Sequence, residues 1–236
     1  MSNRIQHPVT GFGAALFLAA LLASRPVIAH PEPPVESAAL ASVRALAPSL
    51  NVGDVVFIRV AARPFREVAA ATGSWTNHVG IVIDTAGDEP LIAESSFPLS
   101  RKTTLAKFVA RSEGGRVAVT RLKARLTAEQ QQQLVAAAER RTGVFYDTGF
   151  DLHSRRQFCS RYVREVINEA TGVQVGEVET FAAMLTRRPQ TDLGFWRVWY
   201  FGQIPWQRET VTPASLLHSP ELVPVFDGSM ASGMAL

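Results

Sequence analysis

The sequence predicts an α+β fold, an antiparallel sheet or small barrel packed against helices. Three observations predict it: β-branched strands joined by short turns, a capping box at Thr127 that opens one helix, and a second amphipathic helix beginning at Cys159. The chain has 236 residues and is 47% hydrophobic, enough for one good core with a small appendage, so a single globular domain is the default.

The first thirty residues read as a targeting segment. Arg4 sits in a short polar start, a thirteen-residue apolar run covers 11–23, and Val27-Ile28-Ala29 is a small-residue cleavage signature, which predicts a signal peptide over 1–29 cut after Ala29. Thirteen residues at about 1.5 Å each fall short of a hydrocarbon layer of about 30 Å, so the run reads as a leader rather than a permanent transmembrane helix. No cysteine lies near the cut, and a lipid anchor is not indicated. The expected location is the periplasm or the extracellular space. Residues 30–50 are expected to be a proline-stiffened linker followed by an alanine-rich helix over 36–47 that Pro48 closes, and the domain proper spans 51–236.

Gly53-Asp54 is a turn signal before Val55-Val56-Phe57-Ile58-Arg59-Val60, which reads as a buried strand. Residues 61–77 read as a connection. His78-Val79-Gly80-Ile81-Val82-Ile83-Asp84 is a second strand and Leu91-Ile92-Ala93-Glu94 a third, with hairpin spacing between them. A helix over 104–111, a Gly114-Gly115 turn and a strand over 117–122 follow. The box Thr127-Ala128-Glu129-Gln130 opens a helix reaching about Thr142. From Cys159, the residues Tyr162, Val163, Val166, Ile167 and Ala170 share one helical face, and Gly172 stops the helix. Near the C-terminus, Thr212-Pro213-Ala214-Ser215-Leu216-Leu217 is a short capped helix before a strand over 222–226.

Composition narrows the function. The sequence pI is about 9.4, but removing 1–29 leaves 22 basic against 21 acidic side chains, with no long basic run. Nucleic acid is therefore not an expected partner. Cys159 is the one cysteine, which excludes an internal disulfide. No His-Glu-x-x-His, Cys-x-x-Cys or phosphate-cradling glycine loop occurs, so neither metal nor nucleotide cofactor is implied.

Chemistry gathers at three distant positions. A helix start favours negative charge, so a thiol at Cys159 is placed to react as thiolate, with Arg155, Arg156 and Arg161 nearby in sequence. A lone cysteine on such a helix is also ordinary core filling. His78 heads an apolar strand and suits a general base, or caps a sheet edge. Glu94 ends the neighbouring strand and, if the strands pair, can orient the imidazole as the third member of a triad. Alone it would be a surface glutamate.

The order Gly53-Asp54 with its hydrophobic strand, His78-Val79-Gly80-Ile81-Val82-Ile83, Ile92-Ala93-Glu94-Ser95 and Phe158-Cys159-Ser160-Arg161-Tyr162-Val163 resembles the permuted papain-like amidases of the YaeF/YiiX type. These are relatives of the NlpC-type cell-wall peptidases and the lecithin retinol acyltransferase-like proteins. Gly143-Val144-Phe145-Tyr146-Asp147, the Thr212–Leu217 helix and Ser219-Pro220-Glu221-Leu222 extend the likeness. In papain the cysteine precedes the histidine; here it follows. The resemblance implies a circularly permuted papain-like (NlpC-like) fold with Cys159 as nucleophile, His78 as base, Glu94 as orienting acid and Tyr146 as a substrate or oxyanion contact. Where such relatives carry a Glu-Leu-Val-Trp-like run after the cysteine, this chain has Arg161-Tyr162-Val163-Arg164.

The expected function is an exported cysteine hydrolase that cleaves an amide bond in a peptide, cell-wall or N-acyl substrate through a thioester. Two rivals stand beside it: a lipid deacylase or acyltransferase of the lecithin retinol acyltransferase-like kind, and a non-catalytic binding module. Three of the four tryptophans fall in the Trp196–Trp206 segment. That segment reads as core packing, with a lid, an acyl-binding wall or a peripheral membrane contact as alternatives.

Overall fold

The computed structural model describes residues 43, 45–188 and 191–230. The predicted leader, the proline linker and most of the predicted 36–47 helix lie outside the described residues. From Val55 onward the elements run β1 (Val55–Val60), α1 (Arg63–Thr72), β2 (His78–Asp84), β3 (Leu91–Glu94), β4 (Arg101–Thr104), α2 (Leu105–Val109), β5 (Ser112–Leu122) and α3 (Ala128–Arg140). They continue with α4 (Cys159–Thr171), β6 (Val178–Thr180), α5 (Phe181–Thr186), α6 (Leu193–Trp199), β7 (Glu209–Val211), α7 (Pro213–Leu217) and β8 (Leu222–Ser229).

Six strands form one antiparallel sheet in the order β4-β3-β2-β1-β5-β8, and β6 pairs with β7 separately. The α+β class is as expected, with an open sheet whose ends are β4 and β8. Val55 and Phe57 pack on one side with Leu134 of α3 and Val163 and Ile167 of α4, while Val56 and Ile58 pack on the other with Leu105, Phe108 and Val109 of α2. Burial on both faces explains why the strand is apolar without alternation.

Several elements depart from the sequence expectation. The supposed connection 61–77 contains α1, which Pro64 starts and Gly73 ends in a left-handed conformation at φ 62°. Its buried face is narrow, Val68, Ala69 and Ala71, and too small to stand out as a period. The strand expected over 117–122 begins at Ser112, running through both turn glycines. The helix expected over 104–111 shortens to the five residues of α2. The aromatic segment holds α6, and Phe181, Met184, Trp196 and Ile204 form a third, smaller cluster with Val68 of α1.

Candidate active site

His78 opens β2 beside Ile58 of β1. The two residues before it are tied to the same strand: Thr76 Oγ1 donates to the Ile58 carbonyl at 2.8 Å, and Asn77 accepts from Val60 N at 2.7 Å while donating to its carbonyl at 3.0 Å. The histidine therefore leaves a rigid anchor. Ile81 pairs with Ala93, and continuing that register sets Gly80 across from Glu94 with His78 as the diagonal neighbour. A Cβ on Gly80 would come within 2.5 Å of Ile92 and 2.9 Å of Phe108, so glycine is what lets these side chains close beneath the histidine.

That register brings the expected base and acid together. His78 Nε2 lies 2.6 Å from Glu94 Oε2, with both side chains buried. Phe108 stacks on the imidazole with centroids 5.6 Å apart, and Phe65 of α1 meets it edge-on at 5.9 Å. Glu94 also accepts from Arg111 Nη2, at 2.9 and 2.8 Å to its two oxygens, and from Arg101 Nε at 3.1 Å. Burial alone would raise the carboxyl pKa, but the hydrogen bond and charge of His78 and the Arg111 guanidinium outweigh it and lower it to about 2. Arg111 also lies 5.0 Å from the Phe108 ring centroid, so one guanidinium steadies both the carboxylate and the ring stacked on the base.

Cys159 begins α4. Its cap position is held by Phe158, which makes no side-chain hydrogen bond to the first-turn N–H groups, the end of a helix that favours negative charge. Ser160 Oγ donates to the Val211 carbonyl at 2.7 Å and seats the helix start against β7. The thiol stands beside His78 without completing a hydrogen bond, since Nδ1 has no partner among the described residues. Burial depresses the imidazole pKa, yet Cys159 and Glu94 together more than reverse this and raise it to about 9.

Tyr146 comes between the short bridges Leu99–Phe145 and Tyr146–Gln157, which carry it to the same place. Its hydroxyl is buried with no partner among the described residues, and burial, then the charge of Cys159, push its pKa well above the usual phenol value. The three arginines near Cys159 in sequence turn to solvent or to other partners. Arg155 and Arg156 are exposed, and Arg161 pairs with Glu165 at 2.6 Å and donates to the Arg156 carbonyl at 2.8 Å.

Beside the thiol lies a cavity of about 20 Å³, room for about one water-sized molecule. Its walls are Phe65 and Val68 of α1, Phe150, Phe181, Met184 and Trp196, closed below by Thr210 and Pro213. The cap of α5 and α6 leaves Cys159 only 3% exposed.

Arg101, Arg111 and Phe108 escaped the sequence reading, and of the apolar cover the sequence singles out only the aromatic segment around Trp196. Arg101 is opposite Glu94 across β3 and β4, but Arg101-Lys102-Thr103-Thr104 has too little apolar character to read as a strand. Arg111 follows a five-residue helix and carries no local signal.

Residues 49–226 match the family described as "Permuted papain-like amidase enzyme, YaeF/YiiX, C92 family". A protein of Escherichia coli strain K12, described as "Uncharacterized protein YiiX", is 30% identical over 186 residues, covering 79% of this chain and 91% of that protein. A crystal structure described as "metalloprotein yiiX from Escherichia coli O157:H7, DUF1105" superposes with a TM-score of 0.70 at 27% identity, over 77% of this chain and 99% of that one.

Proposed function

The chain belongs to the YaeF/YiiX, C92 family of permuted papain-like amidases, and from that membership we propose that it hydrolyses an amide bond through a Cys159–His78–Glu94 triad. The observation that carries this reading is the buried 2.6 Å contact between His78 and Glu94, with the Cys159 thiol at a helix tip acting on the same imidazole. The thiolate attacks the substrate carbonyl carbon and opens the C=O double bond, placing negative charge on oxygen. Tyr146 O–H and the Cys159 backbone N–H are the donors best placed to stabilise that charge. The His78 imidazolium gives its proton to the departing amine as the C–N bond breaks, leaving a thioester. Neutral His78 then takes a proton from water, the hydroxide attacks the thioester, and thiolate and carboxylic acid are released. Glu94 holds the ring in place through both steps.

The neighbour described as a metalloprotein raises the question of a metal here. Among the described residues no group of three or more His, Cys, Asp or Glu could hold one, and both Glu94 oxygens already accept from His78, Arg101 and Arg111. The donor set does not fit a metal centre, and no step is routed through one.

The apolar lining of the cavity favours a second reading on the same residues, deacylation or acyl transfer from a lipid ester. A panel of peptide amides, N-acyl amides and lipid esters, run with Cys159→Ala and His78→Ala controls, separates the two readings. Full turnover in Cys159→Ala would end both. Export through residues 1–29 belongs to the proposal too. N-terminal sequencing of the mature protein is expected to begin at His30, and an intact Met1 or Ser2 would overturn that route.

A further inference from the structure

The cap over Cys159 has two faces. Trp196, Trp199 and Tyr200 turn inward. Trp196 is buried against Phe150 and Phe181, Trp199 Nε1 donates to the Thr148 carbonyl at 3.0 Å, and Tyr200 Oη donates to the Gly149 carbonyl at 3.0 Å. Helical spacing then turns Arg197, Val198 and the following Phe201 outward. Val198 is 79% exposed and Phe201 97%. Phe201 also adopts a left-handed backbone at φ 52°, held by hydrogen bonds from its own N–H to Val198 and from Gly202 to Arg197. A bulky residue that is both strained and fully solvated gains nothing within this chain.

Charge decides what would cover it. Residues 187–208 contain four arginines and one aspartate, with no lysine or glutamate. Arg187 pairs with Glu179 and Arg208 approaches Asp151 at 3.8 Å, whereas Arg197 has no ion-pair partner among the described residues. A second copy docking by a two-fold axis would bring these arginines against one another. An anionic bilayer offers hydrocarbon for Val198 and Phe201 and phosphates for Arg197.

We propose that the outward face of α6, Val198 and Phe201 with Arg197 beside them, docks on an anionic lipid surface, while the inner face of the same helix keeps Trp196 as a wall of the cavity. The docking does not depend on the hydrolase reading, because it is measured on protein unable to turn over.

The test is co-sedimentation of the Cys159→Ala protein with vesicles of phosphatidylcholine alone or mixed equally with phosphatidylglycerol. Partitioning onto the mixed vesicles is expected to exceed that onto phosphatidylcholine by about tenfold, and to fall by about tenfold in Val198→Ser/Phe201→Ser. Arg197→Glu should remove most of the preference for the anionic lipid. Circular dichroism and melting of each variant check that the fold is intact. Equal binding by the serine variant, or no binding to anionic vesicles at any lipid ratio, overturns the proposal. So does a concentration-dependent dimer, seen by light scattering, that the serine substitutions abolish.

Discussion

On the sheet side of Cys159, Glu94 accepts from His78, Arg101 and Arg111, and the imidazole is held between Phe108 and Phe65. On the cap side, the walls are aromatic and aliphatic, and the buried Trp196 Nε1 and Thr191 Oγ1 have no hydrogen-bond partner among the described residues. The first region pairs both Glu94 oxygens and His78 Nε2 and leaves one ring nitrogen, Nδ1, open beside the sulfur. The second leaves donors open, and buried donors are seldom left unpaired without a reason. Under the proposed hydrolase reading the two regions have separate jobs: strands β2 to β4 set the proton chemistry, whereas α5 and α6 select what is bound.

Substitutions on the sheet side should therefore lower kcat, and those on the cap side should move KM. Cys159→Ala is expected to lose at least about 10³-fold in kcat/KM, with circular dichroism unchanged. Glu94→Gln should cost about 10² to 10⁴-fold by releasing the imidazole. It should also draw the alkaline limb of the pH profile below the value near 9 expected for the parent, because the carboxylate is one of the groups raising the His78 pKa. Tyr146→Phe is expected to lower kcat by about 10² with little change in KM if the hydroxyl serves the oxyanion. A larger change in KM than in kcat would move Tyr146 to the binding side of the comparison. Arg111→Gln should slow turnover by about tenfold. Trp196→Phe, smallest of the set, should change KM a few-fold for apolar acyl groups and leave kcat nearly untouched.

The titrations bear on stability as well. His78 is raised in the folded state from 6.5 to about 9, so its contribution is complete below 6.5 and disappears as pH rises through about 9. Glu94 is lowered from 4.5 to about 2, so its contribution is present above 4.5 and disappears as pH falls through about 2. Thermal melts of Cys159→Ala should lose part of the alkaline dependence, since the thiol is one of the groups holding the imidazole pKa up.

The comparison also separates what the residues disclose from what they do not. β1, β2 and β3 stand out because their apolar runs are bounded by turn residues, and α4 because its apolar face recurs every three to four positions before Gly172. His78, Glu94 and Cys159 lie at the ends of those legible elements. Arg101 reaches Glu94 through strand register, which is a property of two segments together. Arg111 reaches it from a loop. The cap was visible as aromatic richness without a position, because Trp196, Trp199 and Tyr200 reveal an inward face only once α6 is laid on residues 148–150. Arg155 and Arg156 show the opposite case: close to Cys159 along the chain, they are exposed to solvent.

The tight cover over the sulfur also bears on how long the protein survives in use. With Cys159 only 3% exposed beside a space of about 20 Å³, a glutathione disulfide cannot reach it while α6 is in place. Hydrogen peroxide, scarcely larger than water, can. In this closed form, oxidation is thus expected to begin as sulfenic acid rather than as a mixed disulfide, with no second cysteine in the chain to capture it.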